Sequence, residues 1–237
     1  MKNVLLIFLF SVSITTFSQE ITGDELLEKS IQFHDPNNNW ATFKGALFIT
    51  METPKNSERK SKININLPEQ YFSVEAIRDT IVTEYTIQKG VCNVSINGDE
   101  NPSEEIKKKY SLSCERANMY KNYYTYLYGL PMKLKDKGTI IHQKIIKKRF
   151  KGKEYLVLKA TYNKEVGKDT WYFYFNPNTF AMEVYQFFKE ESKNDGEYIL
   201  LSGLETINEI KMPKIRAWYF NKDNGYLGTD ILSKTKQ

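Results

Sequence analysis

The chain has little of what most enzymes are built from. It carries only two histidines, His34 and His142, in 237 residues. They are far apart, and no His-x-x-x-His pair or Cys/His cluster accompanies them, which argues against a zinc centre. There is no Gly-x-Ser-x-Gly elbow of the kind that exposes a nucleophilic serine. No glycine-rich phosphate loop and no pair of catalytic carboxylates stand out. Asn97-Gly98-Asp99-Glu100 is acidic but lacks the alternating ligand spacing of a calcium loop. The expectation is a protein without cofactor or metal, and no motif names a substrate or a reaction.

Cysteine is equally scarce, with only Cys92 and Cys114. Their separation is not the Cys-x-x-Cys spacing of a redox pair. In an exported chain an even count favours a structural disulfide. Closing a loop of this length is worth about 3 kcal/mol in the chain-entropy picture.

Long hydrophobic runs are missing beyond the first residues. Val4 to Ile14 is apolar but shorter than the roughly 20 residues a membrane span needs. Lys2 precedes it, and Thr16 and Ser18 are small residues placed as a cleavage site requires. This pattern reads as a secretory signal peptide over residues 1–18, cut after Ser18. No cysteine lies near the cut to accept a lipid. Residues 19–237 are then expected to be one exported, periplasmic domain with no transmembrane segment. The net charge of +5 falls to +4 when Lys2 is lost. That balance is too mild for a nucleic-acid protein.

What the chain does have is aromatic residues, 14% of the sequence. They concentrate in residues 171–188, which read as strand, turn, strand. Side chains alternate along a strand, so Trp171, Phe173 and Phe175 point one way and Tyr172 and Tyr174 the other. A sheet with one wet face alternates apolar and polar residues. Here both faces are aromatic, so each needs cover.

The remaining pattern is mostly strands. Thr22-Gly23-Asp24-Glu25 fits a capping box for a helix through Leu26, Leu27, Ser30, Ile31 and Phe33. The period changes to two from Trp40, with strands expected near 43–51, 63–67, 71–77, 81–89 and 91–96. Asn101-Pro102-Ser103-Glu104 opens a helical stretch, with Asn101 as its cap. A longer helix spans Ser113 to Tyr128 and stops at Gly129. Strands return at 139–150, 154–162, 169–175, 180–189, 197–208, 214–221 and 226–233, joined by short turns typical of antiparallel neighbours. The fold class is mainly β (α+β), a large curved antiparallel sheet interrupted once by helices.

Three features carry candidate chemistry. On the helix Ser113–Tyr128, Tyr120, Tyr124 and Tyr128 are four apart and share a face. With Trp171, Phe173 and Phe175 they are candidates to line a ligand site, the helix serving as lid. Simple core packing of the same residues is the competing reading. A Cys92–Cys114 bond would tether this helix. His34-Asp35-Pro36 is the most enzyme-like triplet, a His/Asp pair for acid–base work; as a helix end followed by a turn it is structural. Lys144, Lys147, Lys148, Arg149, Lys151 and Lys153 form a basic hairpin. It reads as a solvated edge or as a peripheral contact with anionic lipid.

Several segments resemble a family of uncharacterised secreted proteins found mostly in flavobacteria and their relatives. They are residues 25–31 running into His34-Asp35-Pro36 and Trp40, residues 126–134, Met212 to Tyr219, and Leu227-Gly228-Thr229-Asp230. Locally, the aromatic strand ending in Phe175-Asn176-Pro177-Asn178-Thr179, with Glu183 and Val184 returning, is similar to the periplasmic outer-membrane lipoprotein carriers. That likeness implies a half-open antiparallel barrel with helices covering its concave face and a cavity that shelters acyl chains. No functional residue of the carriers is matched, and none is carried over. The expected function is non-enzymatic binding of a lipid or lipid-modified partner. The alternatives are an envelope module with a self-filled core and, last, a hydrolase using His34 and Asp35.

Overall fold

The computed structural model describes residues 20–235, so the expected signal peptide lies outside the described residues. Helix α1 (Gly23–His34) starts at a full capping box: Thr22 accepts from the Glu25 amide, and Glu25 accepts from the Thr22 amide. Five strands follow in sequence: β1 (Lys44–Thr53), β2 (Asn56–Asn66), β3 (Tyr71–Arg78), β4 (Ile81–Gln88) and β5 (Val91–Ile96). Helices α2 (Glu104–Tyr110) and α3 (Cys114–Gly129) interrupt them. The second series is β6 (Thr139–Ile141), β7 (Ile146–Phe150), β8 (Lys153–Tyr162), β9 (Thr170–Phe175), β10 (Met182–Phe188), β11 (Glu197–Ile207), β12 (Ile210–Phe220) and β13 (Tyr226–Ser233).

All strands join one antiparallel sheet in the order β5-β4-β3-β2-β1-β13-β12-β11-β10-β9-β8-β6, with β7 also on β8. The first and last strands pair in mid-sheet. The sheet curves without closing, so β5 and β6 are opposite edges. Residues 97–138 must connect those edges, and the path across the open side lays α3 on the inner face. The core forms there. Leu47, Ile49, Ile63, Phe72 and Val74 from one half of the sheet meet Phe173, Phe175, Tyr185 and Ile199 from the other, beneath Ala117, Tyr124, Leu127 and Tyr128 of α3. The expected mainly β half-barrel with helices on its concave face is the observed architecture.

The Cys92–Cys114 disulfide is present, with its Cα atoms 5.8 Å apart. It ties the first residue of α3 to edge strand β5.

Three local expectations need correction. The expected strand 139–150 is two strands, because α1 docks where it would have run. The Gly23 amide donates to Gln143 O at 2.9 Å. A Cβ on Gly23 would lie 2.3 Å from His142 O. The cap of α2 is Ser103, whose Oγ accepts from the Ile106 amide, and not Asn101. Strand β12 starts at Ile210, ahead of the expected 214, because Asn208 and Glu209 (φ 49° and 63°) make a tight hairpin turn. The Glu209 carboxylate fixes this unusual conformation by accepting from the side chains of Asn37 and Asn39.

Candidate functional site

The inner-facing row of the aromatic hairpin meets α3 directly. Trp171 lies edge-on to Tyr126 with ring centroids 5.5 Å apart. It stacks on Phe187 of the neighbouring strand at 4.9 Å. One turn back on the same face of the helix, Tyr123 stacks on Trp218 of β12 at 6.0 Å. Between these contacts the helix stands off the sheet and leaves a cleft of about 680 Å³. Its walls are Tyr123, Tyr126, Trp171, Phe187 and Trp218. Its rim carries Lys133, Asp136, Lys168, Asp169 and Glu197. The Tyr126 hydroxyl bonds the Tyr162 hydroxyl on β8, and burial together with that neighbour pushes the Tyr126 phenol well above its ordinary value.

Of the six side chains singled out in the sequence, Trp171 alone lines this cleft. Phe173 and Phe175 are fully buried in the core below it. Tyr120, Tyr124 and Tyr128 do share one face, with successive ring centroids 6.0 Å apart. That face turns toward β2, β3 and β4, where Tyr120 meets Tyr85 and Tyr124 stacks on Phe72. The four-residue spacing therefore finds the packed face. The cleft uses the neighbouring face, Tyr123 and Tyr126, which the sequence marks only by the breadth of the apolar surface.

Under α3 lies a buried polar cluster whose Arg216 and Asp230 fall in two of the family-like segments, with nothing in their spacing to indicate that they meet. Arg216 is 1% exposed and Asp230 3% exposed. They stand opposite each other on β12 and β13. Tyr123 donates to Asp230 Oδ2 at 3.2 Å, and Arg59 donates to the Tyr124 hydroxyl at 3.0 Å. Burial raises the Asp230 carboxyl, and Arg216 and Arg59 offset only part of that rise.

The outer face of the hairpin is covered by its own sheet. Tyr174 is fully buried among Tyr155, Val157 and Val184. Phe150 packs on it at 5.2 Å. Its hydroxyl donates to Gln186 Oε1 at 2.6 Å and accepts from Lys148 Nζ at 3.1 Å. Lys151 lies 4.8 Å over the Tyr198 ring and Lys153 pairs with Glu183. Lys148 and Lys151 of the basic hairpin are thus folded down over aromatic surface.

His34 is fully buried. Its Nε2 accepts from the Met182 amide at 3.0 Å, so Nδ1 bears the proton and donates to Lys211 O at 2.6 Å. Burial drives its pKa down to about 4. Asp35 accepts from the Asn39 and Trp40 amides. Both side chains serve the backbone, and neither ring nitrogen is free for acid–base work. Among the described residues no group of three His, Cys, Asp or Glu could hold a metal ion, and no helix is long and apolar enough to cross a membrane.

In fold the chain is similar to the LolA superfamily protein NE2245 from Nitrosomonas europaea. The two share 12% identity and a TM-score of 0.53 over 92% of this chain and 94% of that one. A putative outer membrane lipoprotein-sorting protein domain from Vibrio parahaemolyticus aligns at 11% identity and a TM-score of 0.46, covering 87% of this chain and 91% of that one. Among curated proteins none matches. Residues 2–234 match the profile of DUF6503, a family of unknown function, and the chain belongs to that family.

Proposed function

We propose that this protein is a non-enzymatic binder of an apolar ligand, a lipid or a lipid-modified partner, and that it works in the cell envelope. The observation that carries the reading is the cleft of about 680 Å³ between α3 and the aromatic hairpin. That volume is within the range of ligand clefts. Its walls are Tyr126, Trp171, Phe187 and Trp218. Burial of a ligand there is worth roughly 0.8 kcal/mol per methylene. The rim charges suit a polar head group. The likeness in fold to a LolA superfamily protein and the secretory start of the sequence support the same reading.

Tyr124, Tyr128, Phe173 and Phe175 favour a second reading, because they are buried in the core and leave no space of their own. On that view the protein is an envelope module whose inner face is filled by itself. Native mass spectrometry of the exported protein after gentle extraction separates the two. A copurifying lipid, displaced by a fluorescent fatty-acid probe, supports the binder. A protein with no bound lipid and no probe binding leaves the self-filled module in its place.

A further inference from the structure

We infer that a recess beside the cleft selects a positively charged head group, so that the ligand is an amphiphile carrying an ammonium. The inference rests on the apolar-ligand reading and adds the chemistry of the head. The recess holds about 160 Å³ and is lined by Met51, Tyr123, Glu197, Trp218, Thr229 and Asp230, among others. No lysine or arginine is among its lining residues. Tyr123, Glu197 and Trp218 also line the cleft, so the two spaces adjoin.

The register of the sheet builds this arrangement. Trp171 stands opposite Phe187, and Phe187 opposite Glu197. An apolar row across three strands therefore ends on a carboxylate at the recess. Trp218 and the Tyr123 ring stacked on it give the recess an aromatic wall. A cation held against aromatic faces is attracted by their negative quadrupole, and a carboxylate at the same place adds to that attraction. An acyl chain along Trp171 and Phe187 would place its head beside Glu197.

Of the positive groups nearby, Arg216 stands opposite Asp230 and with Arg59 offsets part of its charge, which leaves Glu197 as the carboxylate without a partner; the other positive groups lie outside. Arg216 sits over the Tyr128 ring and donates to Pro213 O. Arg59 donates to Tyr124. Lys133 pairs with Asp136 on the cleft rim. Lys168 is an exposed rim residue. Lys189 lies near enough to lower the Glu197 carboxyl, yet burial outweighs it and holds that carboxyl above its ordinary value. Glu197 forms no ion pair among the described residues.

The test uses three amphiphiles with one chain length, each below its micelle concentration: dodecyltrimethylammonium, dodecyl maltoside and dodecyl sulfate. Tryptophan fluorescence of the full exported protein reads the binding. Because the chain is net positive, at +5 whole and +4 without Lys2, bulk electrostatics favour the sulfate. The recess instead makes the ammonium bind at least about tenfold tighter than the maltoside, a difference of about 1.4 kcal/mol. Glu197→Gln abolishes the preference, so that the ammonium and the maltoside bind alike. Maltoside binding with no preference for ammonium overturns this inference and leaves the apolar-ligand reading standing. Failure of all three to bind overturns both. If E197Q does not fold, a salt series on the unaltered protein decides. A preference that shrinks as sodium chloride rises supports the ion pair, and one indifferent to salt overturns it.

Discussion

The guanidinium of Arg216 lies over the ring of Tyr128, 3.8 Å from its centroid, with both side chains closed off from solvent. This contact couples the end of α3 to the middle of the sheet. A buried cation survives there because the ring, the Pro213 carbonyl and nearby Asp230 together replace water. Arg216→Ala leaves Asp230 buried with less compensating charge. The expected loss is about 3 kcal/mol or more, read as a lower urea midpoint. Arg216→Lys recovers only part of it, because an ammonium lacks the planar fork that spans ring and carbonyl. An alanine variant within experimental error of the parent would remove the cluster from the list of stabilising features.

Adjacent residues of one strand face should separate binding from stability. Phe173 is fully buried, so Phe173→Ala leaves a cavity and costs about 3 to 5 kcal/mol. Trp171 is half-buried and faces the cleft. Trp171→Ala should cost less stability and weaken displacement of a fatty-acid probe far more. Equal loss of probe binding in both variants, at matched folded fraction, would contradict the division between core and cleft.

His34 gives stability a pH dependence of definite sign. Its pKa is about 4 in the folded protein against an ordinary 6.5. Below pH 6.5 the unfolded chain takes up a proton that the folded chain refuses. The contribution is therefore present above pH 6.5 and is lost as pH falls towards 4, by roughly 3 kcal/mol in all. Burial of Asp169, Glu197 and Asp230 raises their carboxyls and acts in the opposite sense. The comparison is thus between the parent and His34→Gln, each followed by urea denaturation from pH 7.5 to 4.5. The variant should be less stable at neutral pH and show a flatter acid limb. Parallel limbs would count against a buried neutral imidazole.

On the outer face, Tyr174→Phe removes one hydroxyl that serves two partners, Lys148 and Gln186. Lys148 is exposed and turns to water, so the cost is that of leaving the buried Gln186 Oε1 without its donor, about 1 to 3 kcal/mol, although no packing volume is lost. Thermal unfolding measures it. A neutral substitution would mean that Gln186 too reaches water once the hydroxyl is gone.

Strand periodicity carried most of the architecture. Leu47 and Ile49, then Ile63 and Ile65, then Phe72 and Val74 alternate inward as their sequence pattern requires. The capping box and the stop at Gly129 likewise follow from local chemistry. What escaped the sequence depends on contacts between distant segments. Nothing near Thr139 announces that Gly23 will dock at Gln143 and split a strand. Asn208-Glu209 lacks the glycine that signals a tight hairpin, and the asparagines that hold it are 170 or so residues away. Arg216 and Asp230 look like ordinary surface charges until strand register sets them opposite each other beneath a helix. The candidate site was legible in kind, aromatic helix against aromatic hairpin, but not in detail. Tyr120, Tyr124 and Tyr128 form the regular stripe, and regularity marks close packing. The space opens where Tyr123 and Tyr126 meet Trp218 and Trp171.

The Cys92–Cys114 bond fastens α3 at its first residue, whereas the cleft runs beside residues of its last two turns. The other end is held too, by Arg216 over the buried Tyr128 ring and by Trp40 against Gly129. The helix is therefore a beam fixed at both ends, and the stretch that carries Tyr123 and Tyr126 spans the cleft between two anchors. A guest meets a wall whose position is set before it arrives.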